Sequence, residues 1–380
     1  MTALPHAPQL PSARTRHHSV VALCSAALLA VACGGDRGPA SNGAANSPVG
    51  AGGTGAAGGA DLTGAGSTFA YPLYSRWASD YAAKAGVKVN YQPIGSGGGI
   101  RQLSEQTVDF GATDAPMSDA ELAKAKGGPV MHVPTAMGAV VVTYNLPTIT
   151  APLRFTGDVL ADVYLGKITS WNDPRLAAVN PGVALPATPI LVAHRSDGSG
   201  TTYTFTDYLS AVSPAWKQQV GVGKDVKWPA GLGAKGNEGV SGQVKQTAGA
   251  IGYVELAYAR QNKLPAGLVR NAAGSFVAPS VETTTAAAAG VLGALPPNTD
   301  YRVSIVNAPG ANAYPISTMT WILLYRTQPD AAKGKRVVDF VRYGLTDGQR
   351  VEPALDYAPL PAAMAARLRQ RLDSVQVGAR

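Results

Sequence analysis

The sequence predicts an α/β protein with mainly parallel sheets, and two observations lead there. From Asp61 onward, short apolar runs alternate with segments of helical periodicity, the pattern of helices laid against parallel strands. The chain has 380 residues, of which 46% are hydrophobic and 15% charged. That is too apolar for disorder and long enough for about two domains of roughly 100–200 residues. No internal repeat is visible.

Residues 1–18 are polar and carry Arg14, Arg16, His17 and His18 without an acid, and Ser19 to Ala32 is a run of fourteen apolar or small residues. At about 1.5 Å per residue such a run is short for a hydrocarbon core of about 30 Å. A basic stretch followed by a short apolar one reads as an export signal, expected at 1–32. Its end, Leu29-Ala30-Val31-Ala32-Cys33, resembles a bacterial lipoprotein signal with Cys33 as the lipidated residue, although Ala30 stands where that family carries a larger aliphatic residue. The other reading is ordinary cleavage after Ala32, which leaves Cys33 as a spare thiol. Gly34 to Ala60 holds ten Gly and seven Ala in 27 residues. Residues 33–60 are therefore expected to be a flexible tether with a reach of about 30 Å.

Composition excludes several chemistries. Cys24 and Cys33 are the two cysteines, and only His132 and His194 lie beyond residue 60. The body thus offers no disulfide, no thiolate zinc site and no cysteine nucleophile. Beyond residue 60 there are 29 Lys and Arg against 23 Asp and Glu. This surplus of +6 is spread out, with no polybasic run, so nucleic acid is not an expected partner and a small anion fits at least as well.

Leu73, Tyr74, Trp77 and Tyr81 recur at three- to four-residue spacing, which predicts a first helix ending at Gly86. Val87, Val89 and Tyr91 alternate as a strand. The turn Gly95 to Gly99 leads into a helical pattern at Ile100 and Leu103, and Val108 to Gly111 reads as a short strand. Ser118-Asp119-Ala120-Glu121 has the spacing of a capping box. Ala139–Val142 and Ile190–Ala193 read as buried strands, and Phe205, Leu209 and Val212 mark a later helix.

Small hydroxyl residues and glycines cluster just before three of these helices: Thr63 to Phe69, Gly95 to Gly99, and Arg195 to Thr201. A helix start offers unpaired N–H groups and the positive end of its dipoles. Glycine lets an anion approach the backbone, and Ser or Thr adds a donor. Singly, each cluster is no more than a turn with an N-cap. None is a Walker A loop, a dinucleotide fingerprint or a Gly-x-Ser-x-Gly elbow. Together with one fixed arginine they suit a single tetrahedral anion.

The segments TGAGSTF, NYQPIGSGGG, VDFGATDAPMS, LGKITSWND, RSDGSGTT, KWPAGLGAKGNEGV and GAIGYVELAYA resemble the periplasmic phosphate-binding proteins of bacterial high-affinity phosphate ABC transporters. The resemblance extends from about Leu62 to the DYAPLP segment at 356–361 and weakens between about 270 and 300. It implies a two-lobed, hinged Venus-flytrap fold with mixed-sheet lobes, one formed by 61–146 with 313–380 and the other by 147–312. The crossovers are expected at Asn145–Pro147 and around Tyr314-Pro315. It further implies phosphate ligands at Thr68, Phe69, Ser96, Asp114, Arg195, Ser199, Gly200 and Thr201. Asp197 is expected to support Arg195, and Gly97 stands where some relatives have a second serine. The expected role is capture of inorganic phosphate in the periplasm or cell envelope, by a monomer held near a membrane by a lipid. Delivery is to permease subunits, with no cofactor, no metal and no covalent chemistry.

The chemistry suits these residue types. Hydrogen bonds to a charged group contribute about 1.5–3 kcal/mol each, and the planar fork of Arg195 can hold two oxygens. Asp114 beside an anion is repulsive unless the ligand donates a proton to it. Phosphate carries such a proton at neutral pH and sulfate does not. Sites built to pair a ligand hydroxyl reject analogues lacking it by about 10⁴–10⁵. Arsenate also carries a proton, so binders of another oxyanion remain alternatives, as does a phosphate-sensing surface protein. A secreted phosphatase or hydrolase using Ser199 needs a base, and His194 is the one nearby histidine, on a strand where its side chain should face away from Arg195.

Overall fold

The computed structural model describes residues 62–296 and 298–378. The expected export signal, Cys33 and the tether at 33–60 lie outside the described residues. The chain opens with β1 (Leu62–Gly66), α1 (Tyr71–Ala85), β2 (Val89–Gln92), α2 (Ser96–Ser104), β3 (Phe110–Thr113) and α3 (Asp119–Leu122). A long β4 (Val130–Tyr144) follows, then β5 (Arg154–Phe155), α4 (Gly157–Tyr164), α5 (Pro174–Val179), β6 (Leu191–Arg195) and α6 (Gly200–Val212). Next come α7 (Pro214–Gln219), β7 (Leu232–Ala234), α8 (Gly236–Gln246), β8 (Ala250–Glu255), α9 (Leu256–Gln261), β9 (Leu268–Arg270), β10 (Phe276–Val277) and α10 (Val281–Leu292). The last part holds β11 (Ser317–Tyr325), β12 (Thr327–Gln328), α11 (Ala331–Gly344), α12 (Ala362–Leu372) and β13 (Gln376–Val377).

The first helix buries Leu73, Tyr74, Trp77 and Tyr81, the residues that its periodicity predicts. It ends where Gly86 adopts φ 67, a left-handed cap that favours glycine. The Ser118 capping box is present, with both reciprocal hydrogen bonds, but the helix it opens is only four residues long. Gly97, Gly98 and Gly99 are not a turn but the first turn of α2, and only Gly95, at φ 88, stands outside it as the cap.

Eight strands form one sheet in the order β2-β1-β3-β11-β4-β8-β6-β7. Its two ends are parallel, β2-β1-β3 and β8-β6-β7. The centre is antiparallel, because β11 and β4 run against each other and against their outer neighbours. The sheet is therefore mixed, and each parallel end, flanked by its helices, forms one lobe. The strand β4 serves both lobes. It pairs β11 up to Ala139 and β8 from Val140 onward. At that level Tyr314 Oη donates to the Val140 carbonyl over 3.1 Å. Four tryptophans, Trp77, Trp171, Trp216 and Trp321, are fully buried. Each donates its indole N–H to a backbone carbonyl, so these large apolar groups leave no polar atom unpaired.

Candidate anion-binding cleft

Parallel strands deliver their C-terminal ends and the following helix starts to one edge, and two such edges face each other here. On the first wall, β1 feeds α1 through Ser67, Thr68 and Phe69, while β3 ends at Thr113 next to Asp114. Ser67 Oγ donates to Asp114 Oδ1 over 2.5 Å and accepts from the Ala70 amide over 3.0 Å. Thr320 Oγ1, from β11, donates to the same carboxylate oxygen over 2.8 Å. Ser96, the first residue of α2, lies 3.3 Å from Asp114 Oδ2 and accepts from the Asp114 amide over 3.2 Å. Asp114 is 1% exposed. Burial lifts its pKa to about 6, although Ser67, Thr320 and the charge of Arg195 act against the rise.

On the second wall, β6 ends at Arg195, whose amide donates to Tyr253 Oη over 3.1 Å. Its guanidinium grips Asp197 with two bonds, Nε to Oδ1 at 2.7 Å and Nη2 to Oδ2 at 2.5 Å. A third bond runs from Nη1 to Thr201 Oγ1 at 3.3 Å. Burial alone would raise the Asp197 carboxyl, but the hydrogen bonds and charge of Arg195, with the Gly236 amide, hold it below its ordinary value. Ser199 caps α6 by accepting from the Thr202 amide over 3.0 Å.

The two walls touch. The Gly97 amide donates to the Gly198 carbonyl over 2.8 Å. A Cβ on Gly97 would sit 3.1 Å from Gly198 Cα, so a serine at 97 would push the loops apart by a few tenths of an ångström. A Cβ on Gly200 would lie 2.6 Å from both Asp114 Oδ2 and Ser96 Oγ. Only glycine fits there, and its backbone faces the acid on the opposite wall. Asn237, at the start of α8, donates through Nδ2 to Thr68 Oγ1 at 2.9 Å and Thr201 Oγ1 at 3.2 Å. Tyr258 Oη donates to the Thr68 carbonyl over 2.6 Å. The lobes are thus closed, and a cavity of only about 40 Å³ reaches Asp114 from the side of Arg302 and Trp321.

The structure brings Thr68, Ser96, Asp114, Arg195, Ser199, Gly200 and Thr201 together, with Phe69 behind them. Phe69 is buried, and its carbonyl accepts from Tyr357 Oη. The amides of Phe69, Gly200 and Thr201 donate to no acceptor among the described residues, although all three residues are buried. Buried N–H groups are almost always paired, so these suit an acceptor brought by a ligand. Ser199 Oγ makes no hydrogen bond to His194, whose Nδ1 lies 3.0 Å from the Arg195 carbonyl and whose ring stacks on Trp228. That histidine packs against Trp228. Three contributors escaped sequence reasoning: Ser67, Thr320 and Asn237. Ser67 and Asn237 fall inside quoted motifs, but nothing in a single sequence says which neighbours they meet. Thr320 sits on a strand far along the chain.

The PBP superfamily domain matches residues 47–342. The phosphate-binding protein PstS of Xylella fastidiosa strain Temecula1 is 48% identical over 301 residues, 79% of this chain and 81% of that protein. The chain belongs to the phosphate-binding protein family. Within the family, PstS of Haemophilus influenzae is 44% identical over 311 residues, covering 82% of this chain and 92% of that one. Among solved structures, a high-affinity periplasmic phosphate-binding protein, PfluDING, bound with phosphate, shares the fold with a TM-score of 0.67. Its identity is 22%, over 82% of this chain and 93% of that one.

Proposed function

We propose that this chain captures inorganic phosphate in the cell envelope and delivers it to an ABC permease, without covalent chemistry. The observation that carries this reading is the pairing of a buried acid and a clamped arginine on facing walls. Asp114 Oδ1 is taken up by Ser67 and Thr320, which leaves Oδ2 beside Ser96 and Gly200 for a proton brought by the ligand. Arg195 is fixed by Asp197 and faces the same space. With Asp114 and Asp197 against one arginine, net charge does not hold an anion here. The amides and hydroxyls at the helix starts do.

The proposed ligand set is Thr68, Phe69, Ser96, Asp114, Arg195, Ser199, Gly200 and Thr201, with Asp197 supporting and Gly97 keeping the walls close. The lobe limits 61–146 with 313–380, and 147–312, belong to the same proposal. The change of partner on β4 at Val140, and the Asn145 amide bonded to the Ala250 carbonyl, favour a pivot nearer Val140 and Tyr314 than Asn145–Pro147. Opening about that pivot admits the anion, and the closed, loaded form is the one a permease reads. No helix among the described residues is long and apolar enough to cross a membrane. Attachment through Cys33 and a monomeric state complete the proposal.

Calorimetric titration of the full chain, stripped of bound anion, tests it. Tight one-to-one binding of phosphate with no response to sulfate at neutral pH is the expected result. Equal response to both anions removes the role given to Asp114, and silence toward phosphate removes the function.

A further inference from the structure

Three arginines, Arg326, Arg367 and Arg371, line a cavity of about 420 Å³ together with Asn298, Thr299 and Tyr301, away from the cleft residues. Arg367 and Arg371 stand four residues apart on α12, so they share a face, and like charges at that spacing repel. Arg326 joins them from the end of β11. None of the three forms an ion pair among the described residues, because the nearby acids are committed elsewhere. Asp300 pairs with Arg302, and Asp373 pairs with Arg342.

One of the three is already set in position. Arg371 Nη1 donates to the Thr299 carbonyl over 3.1 Å, and its guanidinium lies 5.8 Å from the centre of the Tyr301 ring. Tyr301 is buried at φ 61, an uncommon backbone for a residue with a side chain, and its carbonyl accepts from the Trp321 indole. Partial burial and then the charge of Arg326 press the Arg371 pKa below its ordinary value. Cations gathered around a cavity with no carboxylate between them call for a counter-charge from outside. Guanidinium forks match phosphoryl oxygens in pairs, and the cavity exceeds what a single orthophosphate fills.

We propose that this pocket is a second anion site, which takes a multiply charged phosphoryl group, free as a di- or triphosphate or borne on a lipid headgroup. It does not depend on the reading of the cleft. The test uses the full chain with the cleft first saturated with orthophosphate. Pyrophosphate is then titrated by calorimetry, with citrate as the carboxylate control. In parallel, the chain is sedimented with vesicles of phosphatidic acid or of phosphatidylcholine. The Arg326→Ala/Arg367→Ala variant carries the comparison, since both side chains are exposed and their loss leaves the core intact. One added equivalent of pyrophosphate, bound at least tenfold more weakly by the variant while orthophosphate affinity is unchanged, supports a free ligand. Arginine-dependent sedimentation with phosphatidic acid alone supports a headgroup. Arginine-independent behaviour in both arms, or citrate binding as tightly as pyrophosphate, overturns the site.

Discussion

Asp114 and Asp197 stand on opposite walls of one cleft, yet burial lifts the first to about 6 while the second is held below the ordinary range. The difference lies in their partners. Asp114 meets hydroxyl groups, which are dipoles and move with the ligand's demand. Asp197 meets one edge of a guanidinium through Nε and Nη2, which balances its charge inside the protein. One acid is kept available to the ligand, and the other serves to aim Arg195. Two carboxylates of the same type thus acquire different functions from what their walls place around them.

The largest effect is expected from equalising the first wall. Asp114→Asn keeps the volume but supplies an amide donor where an unprotonated oxyanion was repelled. If the original discrimination is of the usual size for a paired hydroxyl, about 10⁴–10⁵, the phosphate-to-sulfate ratio should fall by roughly 10³. Competition titration of each anion against the same chain measures it. An unchanged ratio would mean that Oδ2 is not the discriminating atom.

Breaking the second wall comes next. Arg195→Ala removes a clamp that is 1% exposed in its side chain and leaves the half-buried Asp197 without its cation. Removing one partner of such a pair costs up to about 3–5 kcal/mol of stability, and each charge-assisted hydrogen bond lost to the ligand, about 1.5–3 kcal/mol, corresponds to roughly 10–10² in phosphate affinity. The further removal of Asp197 in an Arg195→Ala/Asp197→Asn chain should recover part of the lost thermal stability but little of the binding. Equal recovery of both would make the pair structural only.

A third test sharpens the contrast through pH. The Asp114 carboxyl titrates at about 6 in the folded chain against an ordinary 3.8. Between those values the folded, ligand-free chain keeps a proton that the unfolded chain has lost, so stability falls as pH rises through the window. The rise corresponds to about 3 kcal/mol. Denaturant unfolding from pH 4 to 7 should show a steeper decline in the parent chain than in Asp114→Asn, where the buried Glu255 and Glu352 carboxyls, also raised by burial, still contribute. Asp197 has the opposite sign: its contribution is present above its ordinary value and fades as pH drops.

Much of this contrast was legible in the sequence. The first helix, its glycine stop and the clustering of hydroxyls before helix starts are local patterns, and each depends on residues within a few positions. Asp114 and Arg195 were also visible, because both sit inside long motifs. The sheet centre was not. Antiparallel pairing of β4 with β11 joins residues nearly 200 positions apart, and an apolar run such as Ala139–Val142 reads the same in either direction. Thr320 was hidden for that reason, since its role comes only from the strand that carries it past Asp114. The glycines of α2 misled for a different cause. Glycine is a poor helix former, but here the close approach of α2 to β1 leaves no room for a side chain on Gly99, where a Cβ would fall 2.5 Å from the Ala65 carbonyl.

The smallest effect separates contact within a wall from contact between walls. Asn237 is fully buried and bridges Thr68 of one lobe and Thr201 of the other. Its Oδ1 also accepts from the Glu255 amide over 2.9 Å, inside its own lobe. Asn237→Ala therefore has two consequences. The orphaned Glu255 amide lowers stability whether or not the lobes are closed, and this appears in the melting temperature of the ligand-free chain. The lost bond to Thr68, the one of the two side-chain amide bonds that crosses the cleft, lowers only the closed state, by about 1 kcal/mol for one neutral hydrogen bond, or roughly fivefold in phosphate affinity. Because the bridge forms after the anion has entered, this roughly fivefold loss should fall on the rate of release and leave the rate of capture nearly unchanged. Stopped-flow measurement of both rates decides the matter. A change confined to capture would place Asn237 on the open form, and a melting shift without any change in release would reduce it to a strut within the second wall.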